Sequence, residues 1–185
     1  MDDIVKKAMV KWPNVPDCYG WLGLDARGNW YMRDDAAQAV GAFASGLPGA
    51  KGSLLQHEKL IEFIQRNYSC DTQGEWFFQN GPQRVYVELQ ATPWIWRVDA
   101  AAGITSHADG AATYQAALMD EHGWLYLQTS AGFGLVHTQD MANAALAIEI
   151  GHWSVQEVEL LQLPKRYGYA TSPQKNRQMS AFRNA

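Results

Sequence analysis

The chain has 185 residues, 47% of them hydrophobic and 18% charged, which is enough apolar surface to offset the entropy of ordering the backbone. At about 100 to 200 residues per domain, this length makes one domain or two small ones. Fifteen Lys plus Arg against 19 Asp plus Glu leave a formal charge of −4. An acidic surface repels phosphate backbones and anionic headgroups, which argues against nucleic acid as a partner.

The longest apolar stretches, such as residues 144–148, fall far short of the roughly 20 residues a membrane span requires. No bilayer crossing is expected. The start Met1-Asp2-Asp3-Ile4-Val5-Lys6-Lys7 opens acidic and turns amphipathic, unlike a secretory signal with its basic opening and apolar block. The expected location is therefore the cytoplasm. Two cysteines, Cys18 and Cys70, can neither build a disulfide framework nor fill a zinc shell alone. They read as inert, partly buried thiols, with a bridge between them left open.

In chain order, residues 3–12 carry Ile4, Val5, Ala8, Met9 and Trp12 at helical spacing ahead of Pro13, which predicts a first helix. Trp21-Leu22-Gly23-Leu24 and Trp30-Tyr31-Met32 flank Asp25-Ala26-Arg27-Gly28 and predict a hairpin. Residues 34–45 are alanine-rich behind a capping Asp34, though Gly41 interrupts them. Residues 47–52 hold one Pro and two Gly and form the one candidate internal linker. Ser53 and Gln56 read as a capping box for a helix whose apolar face is Leu54, Ile61, Ile64 and Tyr68.

Strand-like segments follow at 75–79, 84–90 and 93–98. Within the second, Val85, Val87 and Leu89 alternate with Arg84, Tyr86 and Glu88, the signature of a sheet with one face in a core. A second meander is expected at 114–119, 124–128 and 133–137. Asp140 is expected to cap a short helix bearing Met141, Ala144, Ala145 and Ile148. The organisation expected is an N-terminal helix-and-hairpin segment at 1–52, a main region at 53–172 forming one unit with it, and a frayed polar tail at 173–185. Short turns exclude crossovers within these runs. The fold class expected is thus α+β, a mainly antiparallel sheet built from repeated hairpins with a few packed helices. Strands 84–90 and 93–98 should be antiparallel neighbours, and Trp21, Trp76, Trp94 and Trp124 should hold comparable places in similar hairpins.

Three segments combine imidazole with acids: Ser106-His107-Ala108-Asp109-Gly110, Asp120-Glu121-His122-Gly123 and His137-Thr138-Gln139-Asp140. Such groups can ligate a metal or move a proton, which makes His107, Asp109, His122 and His137 candidate ligands. The same residue types also belong in tight turns and helix caps. Trp94 and Trp96 share a strand face that suits either a sandwich core or an interface. In Leu163-Pro164-Lys165-Arg166-Tyr167-Gly168-Tyr169, two cations beside two aromatics can hold a carboxylate or phosphate, or can be a charged edge strand started by proline. No nucleophile elbow or phosphate-binding glycine loop occurs in the sequence. The candidate pocket is where His137 and Asp140 meet Lys165, Arg166 and Tyr167, beside a positive helix end that favours a small anionic ligand.

Four segments carry a family resemblance: Lys11-Trp12-Pro13-Asn14-Val15-Pro16, Gly20-Trp21-Leu22-Gly23-Leu24-Asp25-Ala26-Arg27-Gly28, His57-Glu58-Lys59-Leu60-Ile61 and Gly134-Leu135-Val136-His137-Thr138-Gln139-Asp140. Through them the chain resembles a group of short proteobacterial proteins whose family is known only as a domain of unknown function. More distantly, the helix at 54–68 and the strands through Val98 are similar to a second uncharacterised bacterial family of repeated helix-plus-antiparallel-strand units. Genomic context has suggested a place in signal transduction for that second family. Neither resemblance implies catalytic residues. Two classes of function follow. The first is a binding or regulatory module without chemistry or cofactor, taking a small anionic ligand or a protein partner. The alternative is a metal-assisted hydrolase using the His and acid segments. The sequence does not specify an oligomeric state.

Overall fold

The computed structural model describes residues 1–108 and 110–183. Contacts divide the chain into two compact units, one of residues 1–25, 29–90 and the chain from 169 onward, the other of residues 26–28 and 91–168. Position 52, expected near a boundary, lies inside the first unit.

The first unit opens with α1 (Asp3–Lys11) and continues through β1 (Cys18–Leu24), β2 (Trp30–Met32), α2 (Asp35–Val40), β3 (Ser53–Leu54) and α3 (Glu58–Arg66). Next come β4 (Tyr68–Cys70), β5 (Trp76–Asn80) and β6 (Gln83–Leu89), with α6 (Pro173–Arg183) supplied by the chain end. Its six strands run in the order β3-β2-β1-β6-β5-β4. Two antiparallel meanders meet along a parallel seam in which Leu22 faces Val87 and Leu24 faces Leu89. The α3 helix packs against β5, with Phe63 edge-on to Phe78 and Ile64 buried.

The capping box expected at Ser53 does not form. Ser53 and Leu54 pair instead with Met32 and Tyr31, and His57 caps α3 through Nδ1, which accepts from the Leu60 N–H. The candidate linker at 47–52 is likewise part of the fold. The Arg33 guanidinium, only 1% exposed, donates to the carbonyls of Gly20, Gly41 and Ala50 and so pins the loop to the sheet.

The expected polar tail is helix α6, lying against β6 and β1. On the face that carries Tyr86 and Glu88 it covers Glu88, while Tyr19 stacks on Tyr86 with ring centres 4.5 Å apart, so both residues are buried although the alternation places them opposite Val85 and Val87. The Glu88 carboxylate accepts from Ser172 Oγ at 2.5 Å and from the Gln174 N–H at 3.0 Å. Burial pushes its pKa up, against the pull of those hydrogen bonds and of Arg33.

The second unit contains β7 (Trp94–Val98), β8 (Ile104–Ser106), β9 (Ala111–Ala112), β10 (Tyr114–Met119), β11 (Leu125–Thr129) and β12 (Gly132–Val136). These are followed by α4 (Met141–Glu149), β13 (Val155–Glu157) and α5 (Leu163–Tyr167). The order is β13-β10-β11-β12-β7-β8-β9. Again two meanders meet along a parallel seam, here Trp94 facing Gly134 and Trp96 facing Val136, and β13 adds a further parallel edge on β10. Gly134 sits where any Cβ would lie 2.4 Å from the Trp94 carbonyl oxygen, so the seam itself demands glycine. Trp96 is fully buried in a core with Leu125, Leu127, Ala144 and Trp153, and its indole N–H donates to the Leu127 carbonyl at 3.1 Å.

The fold is α+β, but the sheets are mixed rather than mainly antiparallel. Strands β6 and β7, expected to be neighbours, stand in different sheets. Residues 90–93 are too few for a crossover, but the chain makes none there: it leaves one sheet and begins the next. Two local readings also change. The Lys165 segment is helix α5 rather than an edge strand, with Pro164 in its first turn and Gly168 as a left-handed cap at φ 65°. Asp140 precedes α4 without capping it through its side chain.

The same turn chemistry recurs at four strand connections. Asp25, Asp71, Asp99 and Asp120 each donate their backbone N–H to the carbonyl four residues on. Each also uses Oδ1 to accept the N–H of that same residue. The fourth residue of each turn has positive φ: Gly28 at 81°, Gly74 at 79°, Ala102 at 61° and Gly123 at 78°. Glycine adopts that region without strain, while alanine does so at a cost of about 1–2 kcal/mol. Measured from these turns, the expected equivalence of tryptophans fails by one residue. Trp124 stands opposite Asp120 as Glu75 stands opposite Asp71, so Trp76 is matched by Leu125. One residue of offset in a strand exchanges faces.

Among the described residues no helix is long and apolar enough to cross a membrane. Cys18 and Cys70 are both free, and burial raises the pKa of each, Cys70 to about 11 with Asp71 and Glu75 contributing. Neither thiol is activated as a nucleophile.

Candidate functional site

The hairpin of β5 and β6 places Gln79 directly opposite Arg84, so both side chains leave the same face with their Cβ atoms about 5 Å apart. Asn80-Gly81-Pro82 sets that register through the Asn80–Gln83 pair. On the same face Phe77 faces Tyr86, and the Arg84 guanidinium lies 4.6 Å from the centre of the Phe77 ring. Two connections from the chain start roof this corner. Asp2 ties α1 down by donating its N–H to Asn67 Oδ1 at 2.8 Å, with Val5 buried beneath the helix. The Pro-containing loop that follows is fastened by Gln83, whose Nε2 donates to the Pro16 carbonyl at 2.9 Å.

Between roof and sheet lies a cavity of about 380 Å³ lined by Met9, Pro13, Val15, Asp17, Gln79, Pro82 and Arg84. Gln79 is 1% exposed. Its Nε2 donates to the Gly81 carbonyl at 2.9 Å, which fixes the amide orientation. Its Oε1 has no accessible surface and no hydrogen-bond partner among the described residues. Leaving a buried acceptor unsatisfied costs about 1–3 kcal/mol, and such a group in a native fold calls for an explanation. Neither Arg84 nor Asp17 makes an ion pair among the described residues. The cavity therefore presents a guanidinium and a carboxylate between apolar walls.

Two other hollows are present. One of about 620 Å³ is lined chiefly by acids, Asp120, Glu121, Glu157 and Glu159; Asp120 is engaged in its turn, and Glu121 accepts from the Leu160 N–H at 2.9 Å. The other, about 280 Å³, is an apolar groove beside α3 lined by Cys18, Trp21, Met32, Leu60, Ile64 and their neighbours.

The residues singled out in the sequence are placed as follows. His137 is buried just beyond β12, and its Nδ1 accepts from the Gln139 N–H at 3.1 Å. Asp140 takes a two-pronged bond from Arg97, at 2.5 Å from Nε and 3.1 Å from Nη2, and accepts the Val98 N–H at 3.1 Å. Arg97 holds this carboxyl below the usual range. The Asp140 carboxylate thus clamps the approach to α4 onto β7. Tyr167 stacks on Phe133 with ring centres 3.7 Å apart, and Arg166 lies over Tyr167 at 5.5 Å. Lys165 and Arg166 are exposed. Phe133 precedes His137 by four strand residues, about 13 Å along β12, so the aromatic contact and the imidazole mark opposite ends of one strand.

Of the alternative metal set, His107 lies in the turn after β8 and its Nδ1 accepts from the Ile95 N–H at 3.3 Å. Burial pushes its pKa down to about 4. His122 is exposed beside Glu121, and Asp109 lies outside the described residues. Among the described residues no three His, Cys, Asp or Glu side chains gather as metal ligands.

Comparison with known proteins agrees with the resemblance read from the sequence. The family DUF2944, described as "Protein of unknown function (DUF2946)", matches residues 1–174. No curated protein matches the chain. Among solved structures, a DUF1285 family protein from Silicibacter pomeroyi DSS-3 is similar at 12% identity and a TM-score of 0.47, over 71% of each chain. The chain belongs to the DUF2944 family of unknown function.

Proposed function

We propose that this family member is a binding module without catalysis, and that it takes a small anionic ligand in the cavity beneath α1. The observation that carries the reading is the Arg84 guanidinium, which lines the cavity opposite Gln79 and makes no ion pair among the described residues. At about 380 Å³ the cavity falls at the small end of ligand sites, which span about 300–1,000 Å³. Its lining offers one carboxylate and no thiol, hydroxyl or imidazole, so it supplies recognition and lacks the nucleophile-and-base pair that covalent catalysis needs. A role in signal transduction would follow if ligand occupancy changed how α1 is held.

Thermal denaturation against a panel of small carboxylates and phosphates tests this reading. A ligand at 100 times its Kd stabilises by about 2.7 kcal/mol, a rise of roughly 5–10 °C for a chain of this size. At least one panel member should raise Tm in the wild type and not in Arg84→Gln. A panel with no effect, or one acting equally on both proteins, would overturn the reading.

A further inference from the structure

Resting on that reading, we propose that the ligand of the cavity beneath α1 is an aromatic monocarboxylate whose ring packs against the Arg84 guanidinium. A second hairpin of the same chain points to the ring. In the β5–β6 hairpin Phe77 faces Tyr86 and Gln79 faces Arg84; in the β11–β12 hairpin Tyr126 faces Leu135 and Gln128 faces Phe133. Gly81-Pro82 closes the first and Ser130-Ala131 the second, so the registers match. Phe133 therefore holds in its hairpin the place that Arg84 holds in the other.

The planar groups at these two places lie alike. The Arg84 guanidinium is 4.6 Å from the centre of the Phe77 ring, and the Phe133 ring is stacked on Tyr126 with centres 5.6 Å apart. In the second hairpin Tyr167 of α5 adds a third planar group, stacked on Phe133 at 3.7 Å with planes 5° from parallel. In the first, Phe77 is the one ring among the described residues that the guanidinium covers, and the cavity lies beside Arg84 instead. A ring brought by the ligand takes there the place that Tyr167 takes on Phe133. Guanidinium stacks on aromatic faces, Met9 offers a thioether to a ring edge, and Pro13, Val15 and Pro82 complete an apolar wall. Asp17 sets the charge. Arg84 attracts an anion, whereas the Asp17 carboxylate in the same lining penalises each further negative charge, which favours one carboxylate over a phosphate dianion.

Isothermal titration of the full chain with benzoate, cyclohexanecarboxylate and benzamide separates ring from charge. Cyclohexanecarboxylate keeps the charge on a puckered ring without a π face, and benzamide keeps the flat ring without the charge. Benzoate should bind at least about fivefold more tightly than either. Arg84→Lys keeps the cation and loses the planar fork, so the preference for benzoate over cyclohexanecarboxylate should shrink at least about twofold. Equal binding of those two carboxylates, or a preference unchanged in Arg84→Lys, would overturn the aromatic assignment while leaving an anion site in place. Failure of benzoate to bind, with an aliphatic carboxylate or phosphate still raising Tm through Arg84, would have the same meaning. Benzamide binding as tightly as benzoate, or no compound binding in either experiment, would overturn both readings.

Discussion

Removing the carboxylate of Asp120 tests the turn architecture quantitatively, because the same turn recurs in different surroundings. Asp120 Oδ1 accepts the N–H groups of His122 and Trp124, both at 2.9 Å, and Oδ2 accepts the Tyr126 hydroxyl at 2.8 Å. His122 and Trp124 are exposed, so in Asp120→Ala water can reach their amides, and losing those two bonds costs roughly 0.5–1 kcal/mol each. Tyr126 is 1% exposed. Losing the bond from its hydroxyl to a carboxylate adds about 1.5–3 kcal/mol, for a total near 3 kcal/mol, or a Tm lower by roughly 6–12 °C.

Asp71→Ala should cost less, about 2 kcal/mol, because its hydroxyl partner Tyr86 bonds at 3.1 Å in a less enclosed place. Asp99→Ala should cost about 1 kcal/mol, since Asp99 is exposed and among the described residues its side chain accepts from Ala101 and Gly103 alone. Urea unfolding followed by tryptophan fluorescence gives each value, and a double-mutant cycle of Asp120→Ala with Tyr126→Phe should return a coupling of about 1–2 kcal/mol. An Asp99→Ala variant as damaged as Asp120→Ala, or a coupling near zero, would refute the reasoning.

Three further outcomes are expected. Ala102→Gly relieves the left-handed strain at the one non-glycine member of the four turns and, after the added chain entropy, should stabilise by about 0.5 kcal/mol; chemical denaturation showing a clear loss would contradict it. Asp140→Asn should cost about 1 kcal/mol at pH 7, a modest figure because Arg97 is half exposed and screened. The Asp140 pKa is lowered in the fold, so the contribution is present above the ordinary Asp value and lost as acid protonates the folded carboxyl. The two proteins should then converge at low pH, and a gap that persists there would count against the ion pair. His107, pushed down to about 4 by burial, stays neutral in the fold while the unfolded chain takes a proton near 6.5. Its contribution is full above pH 6.5 and falls toward pH 4 by up to about 1.4 kcal/mol per unit. The urea midpoint of His107→Asn should be flatter across that window, and an unchanged slope would contradict the assignment.

Much of the fold is legible in local pattern. Period-two alternation locates β6, the Asp-to-Gly spacing locates three of the four recurrent turns, and Trp94 and Trp96 do share a face, with ring centres 5.8 Å apart. What escapes sequence reading is decided at long range. Arg84, Tyr86 and Glu88 look like a solvated face until α6, some 85 residues later in the chain than Glu88, closes over that carboxylate. Asp140 has the position and chemistry of an N-cap, but its carboxylate is taken by Arg97, 43 residues away.

The candidate cavity is half legible. Asn80-Gly81-Pro82 is a readable turn, and its register alone would put Gln79 opposite Arg84. Nothing local tells that the loop carrying Asp17 closes over them, because it is Gln83 that fastens that loop through Pro16. The imidazoles stand out by their titration chemistry, whereas the polar strand groups at the cavity, the Arg84 guanidinium and the Gln79 amide, belong to no motif.

The most direct measurement observes that amide. In protein labelled with ¹³C and ¹⁵N at glutamine, the side-chain carbonyl and NH₂ signals of Gln79 can be followed while 4-methylpentanoate and then inorganic phosphate are added. A ligand seated opposite Arg84 predicts a saturable shift of the Gln79 signals by at least one of the two, absent in Arg84→Gln, with Gln38 and Gln128 unmoved. Gln79 signals that stay fixed for both compounds at millimolar concentration would contradict the account.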